Sequence, residues 1–126
     1  MKNSRAMSKF CLLVALCIAV SALAAISSAR TAATSVNIVN NSSREIYNVY
    51  LSPVNSDDWS GNQLGTATIA PGQSYALNNV ACDQQQVKVI GEDQDGCFLS
   101  TVVSCGDSAT WTITNSTPAD CGSSSK

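Results

Sequence analysis

The pattern of apolar and polar positions changes near residue 30. Before it, a basic start with Lys2, Arg5 and Lys9 leads into an almost wholly apolar run over 10–26, followed by small residues. After it, short stretches that alternate apolar and polar residues are separated by turn dipeptides such as Pro71-Gly72. Alternation with a period of two is typical of half-buried strands. The pattern therefore predicts an all-β domain preceded by an N-terminal signal helix.

About seven short strands follow from this alternation, and helical periodicity is absent after the signal segment. Pro53 ends the second strand because proline has no N–H to donate to a ladder, and Asn78-Asn79 indicates a turn. The predicted strands span 35–40, 44–51, 64–70, 73–77, 86–90, 97–105 and 109–114. Strands of this length and spacing favour a small antiparallel β-sandwich, with a half-open β-barrel as the alternative.

The first 29 residues have the order of a secretory signal peptide: basic, then apolar, then small. Cleavage is expected after Ala24 or Ala29, and an uncleaved anchor helix is the alternative because the apolar run approaches the ~20 residues that span a bilayer. A twin-arginine motif is absent, so Sec-type export to the periplasm or the medium is expected. The domain is predicted over 30–115, followed by a polar tail over 116–126 tethered at Cys121.

Four cysteines follow the signal segment, namely Cys82, Cys97, Cys105 and Cys121. An even count in a small exported domain predicts two disulfides, for which three connectivities exist. The hairpin formed by 86–90 and 97–105 places Cys82 opposite Cys105 and so favours that pair. Cys97 then pairs with Cys121, and this second bridge is expected to contribute less because it tethers mainly a polar tail.

Composition narrows the chemistry that the domain can perform. All nine acidic residues lie after residue 29 whereas only four of the seven basic residues do, which disfavours nucleic acids and anionic membranes as partners. The chain has no histidine, which removes Ser-His-Asp and Cys-His arrangements and the usual zinc ligand. Neither a free thiol nor a Gly-rich phosphate loop is expected. We therefore predict a protein that is not an enzyme and has no cofactor.

Two acidic clusters remain as candidate calcium sites, because calcium is held by hard oxygen ligands. One consists of Asp57 and Asp58 with Asn55 and Asn62 nearby, and the other lies in the hairpin loop at 92–96, with Glu92, Asp93 and Asp95. Asp and Asn also cap turns by bonding to their own backbone, and that structural role is the favoured interpretation of both clusters.

The long loop at 55–64 is the most distinctive segment. Trp59 stands directly behind Asp57 and Asp58, and we expect its ring at the core or the rim, closing the loop over the sandwich. Aromatic anchors are frequent hot spots of interfaces. These three residues therefore predict an interaction loop. We expect an interaction or structural module that contacts another envelope or secreted protein through this loop or a sheet face. A calcium-binding or small-ligand module centred on this loop is the alternative, and a minor carboxylate hydrolase is a third hypothesis.

Several short motifs give the sequence a family resemblance. They are Tyr50 to Pro53, Ser56 to Trp59 followed by Leu64-Gly65, Ala70 to Gly72, and Cys82 with Val87 and Val89. With these motifs the chain resembles the short exported bacterial "Tat pathway signal protein"-like family. The resemblance implies a bacterial β-sandwich of unestablished function, and it supports the Cys82–Cys105 pair. Departures are the missing twin arginines, Ser60 and Asn62 in place of glycine and aspartate, and the additional Cys97–Cys121 bridge.

Overall fold

The computed structural model describes residues 33–82, 84–106 and 108–122, so the predicted signal peptide at 1–29 lies outside the described residues. The described chain is all-β. Within these ranges no helix is long and apolar enough to cross a membrane. The strands of the described chain are β1 (Ala33–Asn41), β2 (Ile46–Ser52), β3 (Ser74–Ala81), β4 (Gln86–Asp93), β5 (Phe98–Ser104) and β6 (Ala109–Thr114).

Two three-stranded sheets form the fold, with strand orders β3-β1-β6 and β2-β4-β5. This arrangement confirms the predicted small β-sandwich and is not a closed barrel. Every neighbouring pair is antiparallel except β1 and β6, which run parallel. Strands joined by a tight hairpin must be antiparallel, whereas β1 and β6 come from opposite ends of the domain, so no hairpin fixes their relative direction.

The core lies between the sheets and is built from alternate side chains of each strand. Aliphatic residues dominate it, together with Trp111 from β6, which is 7% exposed. Full burial of each large apolar side chain stabilises the fold by roughly 1.5–3 kcal/mol. The fully buried members with the largest side chains are Ile38, Ile46, Ile69, Leu99 and Ile113.

The strand predicted at 64–70 does not form, and this prediction was wrong. Residues 63–66 form a turn in which Gly65 has a φ of +63°. Only Ile69 pairs in strand fashion, exchanging two backbone hydrogen bonds of 3.0 and 2.9 Å with Ile46. The segment still runs beside β2, but side chains of the loop replace most of the backbone ladder, as described below.

The turn predicted at Asn78-Asn79 is instead a bulge inside β3. Thr34 lies opposite Val80 while Val36 lies opposite Leu77, so β3 has one more residue than β1 over this interval. Asn79 has a φ of 56°, a left-handed conformation that asparagine tolerates better than most residues. The asparagine pair therefore bends the strand and does not end it.

Both predicted disulfides are confirmed. Cys82–Cys105 closes the base of the β4–β5 hairpin, and Cys97–Cys121 joins the tail to the start of β5. The tail is also held by its backbone, because Phe98 and Asp120 exchange hydrogen bonds of 2.7 and 2.8 Å. Two disulfides fit an extracellular or otherwise oxidising compartment.

The second disulfide should matter as much as the first. The two bridges join cysteines 23 and 24 residues apart, so restriction of the unfolded chain predicts a similar contribution of about 3 kcal/mol from each. We expect Cys82→Ser/Cys105→Ser and Cys97→Ser/Cys121→Ser each to lower the free energy of unfolding by about that amount in urea titrations. A Cys97→Ser/Cys121→Ser protein as stable as wild type would contradict this, and would support the smaller contribution expected from the sequence.

Candidate functional site

The loop that follows β2 turns back and bonds to the outer edge of that strand. Leu51 donates its N–H to Ser60 Oγ at 2.9 Å and accepts from Ser60 N at 2.8 Å. Val49 donates its N–H to Asn62 Oδ1 at 3.0 Å and accepts from Gln63 N at 2.7 Å. Because β2 is the edge strand of its sheet, these bonds satisfy backbone groups that no neighbouring strand pairs.

Asn62 holds the loop in place with both ends of its amide. Besides accepting from Val49, its Oδ1 accepts from Leu64 N at 3.0 Å, and its Nδ2 donates to Gly65 O at 3.2 Å. Ser60 Oγ and Asn62 Oδ1 thus serve as acceptors where a regular ladder would use backbone carbonyls. Two of the bonds along the β2 edge therefore depend on side chains, which explains why the loop does not form a further strand at this edge.

The far end of the segment is anchored by a buried asparagine. The Asn40 side chain is fully buried and donates to Ile69 O at 2.9 Å and to Arg44 O at 2.6 Å. Its Oδ1 accepts from both the backbone N–H and the hydroxyl of Ser42. The segment from Ser60 to Ile69 is therefore fixed at both ends by amide side chains.

Trp59 is presented at the start of this anchored segment. Its ring is 42% exposed, and its centroid lies 5.5 Å from that of Tyr50 and 5.2 Å from that of Phe98, edge-on to the latter. We call Tyr50, Trp59 and Phe98 the Trp59 surface. Contacts of this kind stabilise by about 0.5–1.5 kcal/mol per pair beyond the burial of area. Of the two positions expected for Trp59, core or rim, the structure thus shows the rim, and the residue does not belong to the buried core.

The Trp59 surface lies on the face of its sheet that points away from the core. Tyr50 and Ser100 both pair directly with Ile90, so these three side chains point to the same face of the sheet. Phe98 is two residues from Ser100 and therefore points to that face as well. Ile90 is only 2% exposed although it does not belong to the core cluster. The aromatic rings and the loop therefore cover an apolar position on the outer face.

Glu92 is the polar neighbour of this surface. Tyr50 donates its hydroxyl hydrogen to Glu92 Oε2 at 2.7 Å, and Asn48 Nδ2 donates to the same oxygen at 3.0 Å. The hydrogen bond from Tyr50 to Glu92, together with partial burial and the negative charge of Glu92, raises the pKa of Tyr50 above its ordinary value. The phenol therefore remains a neutral donor into the alkaline range, and it fixes the orientation of its ring.

The first acidic cluster is not assembled as one ligand set. Asp57 is almost fully exposed and lies 3.7 Å from Lys88 Nζ, an exposed ion pair that contributes little to stability. The Asp58 carboxylate accepts no hydrogen bond within the described residues, whereas Asn62 Oδ1 is occupied by two backbone N–H groups. Asn62 is thus a loop-anchoring residue, and it is not brought together with the two aspartates.

The second cluster is also divided. Glu92 points to the outer face, while Asp93 is 3% exposed and accepts from the N–H groups of Asp95 and Cys97, each at 2.9 Å. Arg44 Nε lies 3.8 Å from the other carboxylate oxygen of Asp93. The turn-capping interpretation is therefore correct for Asp93. Across the described ranges, no three His, Cys, Asp or Glu side chains are grouped to hold a metal ion.

An open groove of about 570 Å³ lies beside Trp59, where β2 ends. Its apolar lining includes Leu51, Pro53, Trp59 and Val87, and its polar lining includes Asp58. A volume of this size falls within the range of small-molecule sites, roughly 300–1,000 Å³.

The turn between β3 and β4 supplies glutamines to this region. Gln86 lines the groove and also a smaller hollow of about 260 Å³, which Gln84 and Asn55 line as well. Gln84 and Gln85 have φ values of 49° and 68°, a left-handed conformation that is uncommon for glutamine. No sequence pattern marks these glutamines as site residues. Two consecutive left-handed glutamines have no sequence signature, since such turns usually contain Asn or Gly.

Comparisons with known proteins leave the family of the chain open. No family model matches it, and no curated protein does. One solved structure, described as the NMR structure of the protein from Eubacterium rectale, is similar with a TM-score of 0.47 and 15% identity. The similarity covers 70% of this chain and 82% of that one, and at this level it carries no argument about function. Membership of the export-labelled family therefore stays a prediction from the sequence.

The anchoring role of Asn62 can be measured directly. We expect Asn62→Ala to lower the free energy of unfolding by about 1–3 kcal/mol, because the N–H of Val49 loses a partly buried acceptor. Asn55→Ala is the matched control, since Asn55 lies in the same loop, is exposed and makes no side-chain hydrogen bond within the described residues. Equal stability of the two variants in urea titrations would show that Asn62 does not anchor the loop.

Proposed function

We propose that the protein is an exported, non-enzymatic binding module of the bacterial envelope or secretome. It contacts another envelope or secreted protein through the Trp59 surface. The observation that carries this proposal is the half-exposed ring of Trp59, held by an anchored loop between Tyr50 and Phe98. Export, bacterial origin and loss of residues 1–29 are parts of the proposal that rest on the signal-peptide pattern and the family resemblance, and the two disulfides are consistent with them.

Preorganisation supports a binding role for this ring. An exposed tryptophan on a free loop would lose side-chain and backbone freedom on binding, and that ordering reduces affinity. Here Ser60 and Asn62 already fix the loop to β2, and Tyr50 is oriented by its hydrogen bond to Glu92. A partner would therefore meet an aromatic surface that is ordered before contact, as tryptophan and tyrosine hot spots commonly are.

The charges around the Trp59 surface favour one kind of partner. Asp57, Asp58 and Glu92 lie beside it, while Lys88 lies next to Asp57. A partner with an apolar centre and lysines or arginines at its rim would match this arrangement, and charges of that kind mainly increase the association rate. Binding by such a partner should weaken as the salt concentration rises.

Site-specific photo-crosslinking in the producing cells tests the contact. A photoreactive residue replaces Gly61, where an added Cβ meets no atom within 4 Å. The control position is Thr112 on β6, which is exposed on the other sheet of the sandwich. We expect a discrete protein adduct from position 61 and none from position 112. The adduct should disappear when Trp59→Ala is added.

Two results would contradict the proposed contact. One is an adduct from position 61 that persists in the Trp59→Ala background. The other is the same set of adducts from both positions, which would indicate non-specific encounter. Thermal unfolding of each variant shows whether the protein is folded, so the loss of an adduct can be attributed to the surface.

A further inference from the structure

We infer that the groove beside Trp59 binds an uncharged saccharide, with a pyranose ring packed along the apolar wall and its hydroxyl groups bonded to Asp58 and Gln86. This inference goes beyond the proposed protein contact, because it assigns a ligand to the groove, which shares Trp59 with the Trp59 surface but not Tyr50 or Phe98. It rests on the shape of the groove, on its free hydrogen-bonding groups and on the conformation of the turn that presents them.

The wall of the groove suits a ring with one apolar face. Leu51, Pro53 and Val87 form an aliphatic side, and the half-exposed Trp59 lines the same groove. A pyranose presents C–H groups on its faces and hydroxyl groups around its rim. Packing of the C–H face against indole buries apolar area on both sides and leaves the rim free for hydrogen bonds.

Free polar groups stand where that rim would lie. Asp58 and Gln86 line the groove, and Gln84 and Asn55 line the adjoining hollow. None of these four side chains makes a hydrogen bond within the described residues. A side-chain amide donates through its nitrogen and accepts through its oxygen, and a carboxylate accepts through two oxygens. Both groups therefore suit pairs of adjacent hydroxyl groups. By contrast, the hydroxyls of Ser52 and Ser60 are used internally.

The turn that carries the glutamines is held in an unfavourable conformation. Gln84 and Gln85 are both left-handed, with φ values of 49° and 68°. Residues in sparsely populated backbone regions cluster at ligand clamps, where the surrounding structure maintains the strain. The conformation brings Gln84 and Gln86 to adjoining hollows, which is the placement that a saccharide of two or more rings requires.

Other ligand classes fit the groove less well. An anion would need a cation there, and the described cationic side chains, Arg44 and Lys88, lie next to Asp93 and Asp57 respectively. An extended peptide would need free backbone groups, but those at the outer edge of β2 are bonded to Ser60 and to residues 62 and 63. Side-chain amides, one carboxylate and an indole remain, and together they select a neutral polyhydroxylated ring.

Tryptophan fluorescence provides a direct assay. The chain has two tryptophans, and Trp111 is buried in the core whereas Trp59 is half-exposed and lines the groove. The probes are soluble glucose and N-acetylglucosamine oligosaccharides, from one to four rings. We expect at least one series to give a saturable change in emission, with affinity increasing from one ring to two. The change should persist in Trp111→Phe.

The groove variants decide the assignment. Gln86→Ala and Asp58→Ala should each weaken binding by about tenfold, the equivalent of one hydrogen bond of about 1.4 kcal/mol. Gln73→Ala is the control, because Gln73 is exposed on a turn outside the groove and should bind like wild type. Both groove residues lack internal side-chain bonds, so these variants are expected to fold, and circular dichroism checks this.

Each outcome settles the inference separately from the protein contact. Absence of any saturable change with every oligosaccharide overturns it, as does binding that both groove variants leave unaltered. A response to tetramethylammonium or to a lysine-rich peptide, without one to saccharides, also overturns it. Sedimentation with insoluble cellulose or chitin, compared with the soluble sugars, distinguishes a polymer from a free saccharide as the source. Neither groove variant changes Tyr50, Trp59 or Phe98, so the crosslinking result stands independently.

Discussion

The structure depends on how the outer edge of β2 is satisfied. An edge strand presents N–H and C=O groups that must bond to something, and here Ser60, Asn62 and Gln63 provide the partners. The hydrogen bonds that meet this requirement hold a polar loop, rich in serine, asparagine and aspartate, against the sandwich. Once the loop is fixed, Trp59 is fixed too, with its ring between Tyr50 and Phe98 and beside the groove. The candidate site is therefore a consequence of covering a strand edge.

The opposite edge of the same sheet is treated differently. At β5 the described part of the tail, up to residue 122, contacts the backbone of Phe98 through two bonds with Asp120, and Cys97–Cys121 holds that contact in place. The ladder to β4 uses the backbone groups of alternate residues of β5. Those of Ser100 and Val102 therefore point away from β4, and they have no backbone partner among the described residues. In the described part of the chain, a loop thus covers one edge of the sheet, and a tail held by a disulfide covers part of the other. In a domain of this size both devices supplement a small core.

Much of the fold could be predicted from residues, because the relevant signals are local. Alternation located β1, β2, β4, β5 and β6, and the Asp-Gly hairpin brought Cys82 opposite Cys105. The errors have a common cause. Residues 64–70 alternate like a strand, but Gly65 and the amide of Asn62 divert the chain, and only Ile69 pairs with Ile46. At Asn78-Asn79 a bulge forms in place of the predicted turn, because the residues before and after this pair, Leu77 and Val80, both pair with β1. The groove could not be predicted, because Gln86 and Trp59 line it together only through the tertiary fold.

Native-state hydrogen exchange tests the central claim, that the loop satisfies the β2 edge. The N–H groups of Val49 and Leu51 are bonded to Asn62 Oδ1 and Ser60 Oγ, so we expect them to exchange nearly as slowly as the core amide of Val89. The amide of Val102, on an exposed edge, should exchange fast in the same experiment. Rapid exchange at Val49 and Leu51, at the rate of Val102, would contradict the account, because the loop would then not be held and Trp59 would not be presented by it.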